Sequence, residues 1–235
     1  STREKTLEIV DQIQKEFSLT TMAHLTCVKH TRGEIDAILD EVKKRGIQNI
    51  LALRGDPPPG ECWSRTEGGF EFASELVTHI RRHDDFGVAV AAFPEGHIDC
   101  IEGREVDWQH LVRKICCGAD IIITQMFFNN VDYFRLTDYL SEAGVKVPLF
   151  PGIIPVAHAE QIRKFSTMCG AKLPEAFAAR LDELGDDSDA TQEYGIEYAT
   201  AQCRELLDRG APGLHFYTLN KSRAVLKILT NLGLA

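Results

Sequence analysis

Residues 47–60 read IQNILALRGDPPPG, an apolar run that breaks into an Arg-Gly-Asp corner followed by three prolines. Ile47, Ile50, Leu51, Ala52 and Leu53 are spaced as a strand buried on both faces, the pattern of parallel sheets. Gly55 then permits a sharp turn or a close backbone approach to a ligand, and Pro57-Pro58-Pro59 forbids an immediate helix. Arg54 and Asp56 therefore stand at the carboxyl end of a buried strand, where α/β proteins place their chemistry. On spacing alone they are either part of a site or an ion pair that closes the strand.

Outward from this stretch, strands and helices alternate. Residues 20–26 (TTMAHLT) predict a strand, and Thr31 caps a helix running through Arg45, with Glu34 three residues on completing a capping box. Beyond Gly68-Gly69, residues 70–82 have helical spacing with Phe72, Leu76 and Ile80 on one side, and residues 87–93 (GVAVAAF) predict a strand ended by Pro94. Residues 106–117 predict a helix with Trp108, Leu111, Val112 and Ile115 facing a core, stopped by Gly118. Then come a strand at 119–124, a helix at 131–143 ended by Gly144, a strand at 147–150, a turn at 152–155 and a helix at about 157–168. Helices at 174–184 and 191–209, a last strand at 213–218 and a helix at 221–232 complete the series. Such alternation calls for a parallel sheet with right-handed crossovers, so the class is α/β. Six strands are two fewer than a (β/α)8 barrel needs. Either the sheet is open, or a barrel lacks its first β-α-β piece, because residues 1–17 read as a helix with no strand before it.

Composition narrows the function classes. With 235 residues and 44% hydrophobic content the chain supports one sizeable core, and a single domain over 1–235 is expected. The net charge of −9, without a dense basic cluster, argues against nucleic acid. No stretch approaches the length of apolar residues that a membrane helix requires, and residues 1–14 are too polar for a secretory signal, so a cytoplasmic location is expected. The seven cysteines, Cys27, Cys62, Cys100, Cys116, Cys117, Cys169 and Cys203, are scattered and read as reduced, mostly core residues. Glu75, His79 and His83 share a helical face at a spacing that suits a metal, but no third strong ligand follows nearby and the stretch reads as a solvated face, so no metal is expected.

Polar residues after the strands form a set: His24 and Thr26; Arg54, Gly55 and Asp56; Pro94, Glu95 and His97; Gln125, Phe127 and Phe128; Gly152 and Pro155; Tyr217, Asn220 and Lys221. The set has no Ser-His-Asp order and no lysine isolated on a strand, which favours binding of a flat heteroaromatic over acyl or Schiff-base chemistry. An amide such as Gln125 at a strand end can read a ring edge as donor and acceptor. Singly, each has a plainer role: His24 as a core histidine, His97 as a surface residue, Arg113 and Lys114 as solvated helix charges, Phe165 as core.

ALRGDPP at 52–58, AAFPEGH at 91–97, GADIIITQMFF at 118–128, PGIIPV at 151–156 and GLHFYTLN at 213–220 together resemble methylenetetrahydrofolate reductase, in the same order and at similar spacing. EGGFEFASELVTHIRR at 67–82 is similar to the eukaryotic form more than the bacterial one. The resemblance implies a (β/α)8 (TIM) barrel that binds FAD and passes a hydride from NAD(P)H to flavin and on to 5,10-methylenetetrahydrofolate, in one-carbon metabolism serving methionine synthesis. It implies FAD contacts at His24, Arg54, Gly55, Asp56, Phe72, Ala73, Phe93, His97, Asp107, Arg113 and Lys114, with Lys114 meeting the pyrophosphate and Asp107 the ribose. It implies folate contacts at Asp56, Gln125, Gln161, Phe165, Tyr217 and Lys221, catalytic roles for Asp56 and Gln125, and nicotinamide contact at Gln125. Small-molecule partners follow, namely methylenetetrahydrofolate and its polyglutamylated forms, with a homo-oligomer expected.

Several positions depart from the family pattern. The family's general acid is a glutamate on the first barrel strand, which has no counterpart here, and the threonine after its second strand is absent. Phe72 and Phe93 stand where tyrosine is common, Lys221 replaces an arginine fork by a point charge, and His97-Ile98-Asp99-Cys100 replaces the usual His-Pro-Glu. Two alternatives stay open: a non-catalytic flavin- or folate-binding subunit, and another flavin- or pterin-binding barrel.

Overall fold

The computed structural model describes residues 2–57 and 60–235, with side chains from residue 6 onward in the first helix. Pro58 and Pro59, whose stiffening role was expected from sequence, lie outside the described residues. The element order is α1 (Thr2–Phe17), β1 (Met22–Thr26), α2 (Arg32–Lys44), β2 (Asn49–Leu53), α3 (Ala73–His83), β3 (Gly87–Ala92), α4 (Arg104–Cys116), β4 (Ile121–Met126), α5 (Asn130–Glu142), β5 (Leu149–Ile153), α6 (Ala159–Cys169), α7 (Glu175–Leu184), α8 (Ser188–Asp208), β6 (His215–Phe216) and α9 (Arg223–Leu232). The six strands stand in chain order in their sheet, the order that successive β-α-β crossovers generate. The fold class is α/β of the (β/α)8 type, with six strands among the described residues. Contacts group the chain into two compact units, Ser1–Ala91 with Leu111–Ile122, and Ala92–His110 with Ile123–Ala235.

In the first unit, β1, β2 and β3 pair in parallel, with Ala23 opposite Ile50 and Ile50 opposite Val88. Side chains alternate across the pleat, so Ala23, Leu25, Ile50, Ala52, Val88 and Val90 share one face, all buried. His24, Leu51 and Ala89 share the other. The Thr31 capping box is present: Glu34 N donates to Thr31 Oγ1 at 3.3 Å and Thr31 N donates to Glu34 Oε2 at 2.8 Å. Helix α3 buries Leu76, Val77 and Ile80 and packs on β2. Phe72 is not on that buried face; it is the N-cap, in extended backbone, with its ring 55% exposed. Helical periodicity does not extend to a residue that precedes the first turn.

Glu75, His79 and His83 are occupied by protein partners. Glu75 accepts the N–H groups of Glu71 and Phe72 at 2.7 and 3.0 Å, while His79 meets Asp36 at 2.6 Å and His83 meets Asp40 at 3.3 Å, cross-linking α3 to α2. The cysteines are less buried than expected: Cys27 and Cys203 are in the core, Cys100, Cys117 and Cys169 are intermediate, and Cys62 and Cys116 are exposed. Their positions in loops and at helix ends explain this. Val112 is likewise only half-buried.

In the second unit, β5 pairs in parallel with β6, Gly152 opposite His215. The strand β5 continues through Gly152 and Ile153, where a turn was expected, because Gly152 lies flat against its neighbours instead of reversing the chain. The last strand is short, and after two intervening residues Leu219 and Asn220 adopt φ of 49° and 60°. A buried polar net ties α5 to α8: Gln202 Nε2 donates to Phe127 O at 2.9 Å, and Asn130 Nδ2 donates to Gln202 O at 3.1 Å and Glu205 Oε2 at 2.7 Å. Replacing Gln202 by leucine leaves the Phe127 carbonyl without that donor, so the variant is expected to lose about 1–3 kcal/mol, read from the urea unfolding midpoint.

Candidate functional site

In the first unit the candidate residues gather at the carboxyl ends of β1, β2 and β3. Cys27 N donates to Leu53 O at 3.0 Å and Val28 N to Arg54 O at 3.0 Å, holding the chain after β1 against the chain after β2. Gly55 sits in this contact with φ of +82°, and a Cβ there would stand 2.6 Å from Val28 Cγ1. Only glycine meets both the positive φ and the close approach. Arg54 beside this corner is half-buried, and the Asp56 side chain is exposed. Arg54 lies over the Trp63 ring, 5.4 Å from its centroid.

Lys114 reaches from α4 to the end of β3, where its Nζ donates to Ala91 O at 2.6 Å, and Arg113 beside it is exposed. Lys114 is thus more than a solvated helix charge. His24 is exposed rather than core, yet enough protein surrounds the ring for partial burial to lower its pKa from the ordinary histidine value. Trp63 Nε1 is buried without a hydrogen-bond partner among the described residues, a donor left for an acceptor from outside. Sequence reasoning missed Trp63; a lone indole in a loop of glycine, proline and charge was the available signal.

In the second unit, Phe93 and His97 face each other edge to face, centroids 4.5 Å apart. Trp108 Nε1 donates to Phe93 O at 3.0 Å, which fixes this loop to the first half of α4 where Asp107 lies half-buried. His97 is no simple surface residue: its Nδ1 accepts the Asp99 N–H at 3.0 Å. Thr124 is a junction, also missed from sequence. Its Oγ1 accepts the Gly152 N–H at 2.8 Å and its carbonyl accepts the Tyr217 hydroxyl at 2.8 Å, tying the ends of β4, β5 and β6 around the residue preceding Gln125.

Gln125 is half-buried, and its Oε1 accepts the Met126 N–H at 2.9 Å. That bond sets the carboxamide orientation, with the NH2 end as the presented donor. Burial pushes the Tyr217 phenol up to about 12, with Cys169 adding to the rise, so it remains a donor at all physiological pH. Phe165 and Tyr217 both pack on the cluster of Met126, Phe128, Ile154, Val156, Ile162 and Phe177. Gln161 is exposed on the same helix as Phe165, one turn before it, and Lys221 is exposed after the left-handed Leu219-Asn220 turn. Among the described residues no group of three His, Cys, Asp or Glu side chains converges as metal ligands, and no helix is long and apolar enough to cross a membrane.

The ends of the strands of this (β/α)8-type sheet carry cations, carboxylates, amides and aromatic rings. Residues 1–233 match the family model of methylenetetrahydrofolate reductase. The chain belongs to the methylenetetrahydrofolate reductase family. It is 39% identical to methylenetetrahydrofolate reductase (NADH) 1 of Zea mays, over 100% of this chain and 41% of that protein. It is 35% identical to 5,10-methylenetetrahydrofolate reductase of Escherichia coli, over 98% of this chain and 76% of that protein. The chain thus spans about two fifths of the plant relative's length. Among solved structures, an uncharacterized Clostridium thermocellum protein, described as binding two copies of 5-methyl-5,6,7,8-tetrahydrofolic acid, shares the fold with a TM-score of 0.57 and 15% identity, over 94% of this chain and 76% of that one.

Proposed function

We propose that the protein is a flavin-dependent reductase converting 5,10-methylenetetrahydrofolate to 5-methyltetrahydrofolate in the cytoplasm, with residues 1–235 acting as one FAD-binding domain of a homo-oligomer. The observation that carries this is the family match over residues 1–233. The donor set fits FAD: Lys114 and Arg113 offer positive charge to a diphosphate, Trp63 Nε1 is a buried donor without an acceptor among the described residues, and the exposed Phe72 ring offers a stacking face. His24, Arg54, Gly55, Asp56, Ala73, Phe93, His97 and Asp107 complete the cofactor contacts. Bound there, FAD would supply two-electron hydride-transfer chemistry between NAD(P)H and the folate.

The chain's own residues bind and orient. The Asp56 carboxylate stabilises positive charge developing on the folate iminium, and the Gln125 NH2 donates to the ring edge of folate or nicotinamide. Phe165 lies against the ligand ring, Gln161 and Tyr217 line the folate site, and Lys221 attracts the folate's carboxylates as a point charge. The general acid that protonates the folate amine matches no residue of these 235.

The test is an absorbance titration with FAD followed by anaerobic NADPH or NADH. Bound flavin that bleaches and is then reoxidised by methylenetetrahydrofolate is the expected result. A folded sample that binds no flavin would overturn the reading. Flavin that binds and bleaches without folate reoxidation would favour a flavin-binding subunit instead.

A further inference from the structure

The loop carrying Phe93 and His97 is fastened to the chain that follows α6, and one side chain makes the fastening. Both carboxylate oxygens of Glu95 lie 3.1 Å from the backbone nitrogen of Lys172 and accept its N–H. Nearby, a Cβ added to Gly170 would lie 3.3 Å from Ile98 Cβ, so the same two segments approach closely there. Helix α6 carries Gln161 and Phe165. We propose that Glu95 is a positioning residue that couples the Phe93–His97 loop to α6, setting the folate-side residues in register with the cofactor-side loop. This assignment rests on the reductase reading above.

Stability alone does not account for a carboxylate here. Burial is the largest influence on Glu95 and raises its pKa, with Asp132 on α5 adding to the rise; the Lys172 N–H, the Lys172 ammonium and Arg104 at the start of α4 oppose it. Arg104 is itself 3.3 Å from Asp132, which divides its charge between the two acids. On its own loop Glu95 is followed by His97 and Asp99, which stand 3.9 Å apart. A carboxyl pKa above its unfolded value means that the folded protein holds this proton more tightly than the unfolded chain does. Its contribution to stability is therefore greatest at low pH and falls as pH rises through the folded pKa. The two-oxygen hold on Lys172 runs the other way, since it is complete only when the group is ionised. A glutamine accepts the same N–H through one oxygen without a buried charge, so the ionised side chain serves position at the expense of stability.

The experiment compares wild type with Glu95→Gln and Glu95→Ala in the complete protein, loaded with FAD. Glu95→Gln is expected to keep or raise the unfolding midpoint at pH 7.5 (~ the usual assay range), yet raise KM for methylenetetrahydrofolate about five-fold, the size of one weakened charged hydrogen bond. An acid limb in the wild-type kcat/KM profile, with kcat/KM falling as pH drops, is expected to flatten in Glu95→Gln. Amide exchange at Lys172 is expected to quicken in both variants. Unchanged KM and pH profile in Glu95→Gln would overturn the role. So would equal losses of midpoint and activity in both variants, the mark of a merely structural residue. If the wild type turns over and Glu95→Gln matches it, only this inference falls; if the wild type binds neither flavin nor folate, the reductase reading falls with it.

Discussion

Lys114→Ala is expected to weaken FAD binding about a hundredfold, measured by flavin fluorescence titration at two salt concentrations. A lysine on α4 would ordinarily extend into water, but the Lys114 Nζ is held at the end of β3 by the Ala91 carbonyl at 2.6 Å, and its stem is half-buried. Its orientation is fixed before any ligand arrives, so little side-chain entropy is lost on meeting a diphosphate. A charged hydrogen bond to phosphate is worth about 1.5–3 kcal/mol, and loss of the positive charge adds to that. The salt dependence of binding should become shallower in the variant, as one fewer cation is screened. Lys114→Met, which keeps the stem, should lose nearly as much. A variant that binds FAD as tightly as wild type would remove Lys114 from the cofactor site.

Gly152→Val is expected to unfold the second unit or cost more than about 3 kcal/mol, and Gly152→Ala somewhat less. A Cβ at this position would stand 2.2 Å from Thr124 O and 2.8 Å from Tyr217 Cε2. Neither neighbour can yield cheaply. The Thr124 carbonyl accepts the Tyr217 hydroxyl, the Thr124 hydroxyl accepts the Gly152 N–H, and the Tyr217 N–H donates to Ile153 O at 2.8 Å. Relief of the clash must pull β4 and β5 apart or swing out the Tyr217 ring, and either movement displaces Gln125. Urea unfolding measures the first effect. In any folded fraction of Gly152→Ala, folate KM should rise more than FAD affinity falls. An alanine variant with wild-type stability would show that the strand ends relax more easily than this packing allows.

The alternation of apolar strands and amphipathic helices was legible from residue 20 to the end because two periods, 2 and 3.6, write themselves directly into the order of side chains. The Thr31–Glu34 box and the stop at Gly118 were legible for a similar reason: each is satisfied within a few residues. Phe72 was placed on the same helix side as Leu76 and Ile80, but it is the N-cap, just outside the first turn, where the period no longer applies. Gly152 was misjudged as a turn because glycine marks both turns and close approaches, and sequence does not distinguish them.

The candidate site divides along the same line. Gly55, His97 and Gln125 stood out because residue type and place after a strand are both local facts. That Lys114 reaches Ala91, that Arg54 lies over Trp63, and that Glu95 holds the Lys172 amide are contacts across 23, 9 and 77 residues of chain. What the sequence determined by itself was the set of strands and helices, the class of fold and the family, since these rest on periodicity and on short motifs in order. What only the tertiary structure decided was which charges are paired, which aromatic rings are left open and which carboxylate is half-buried. Those depend on the distance between side chains remote in sequence, and on how much water the packed elements leave around each one.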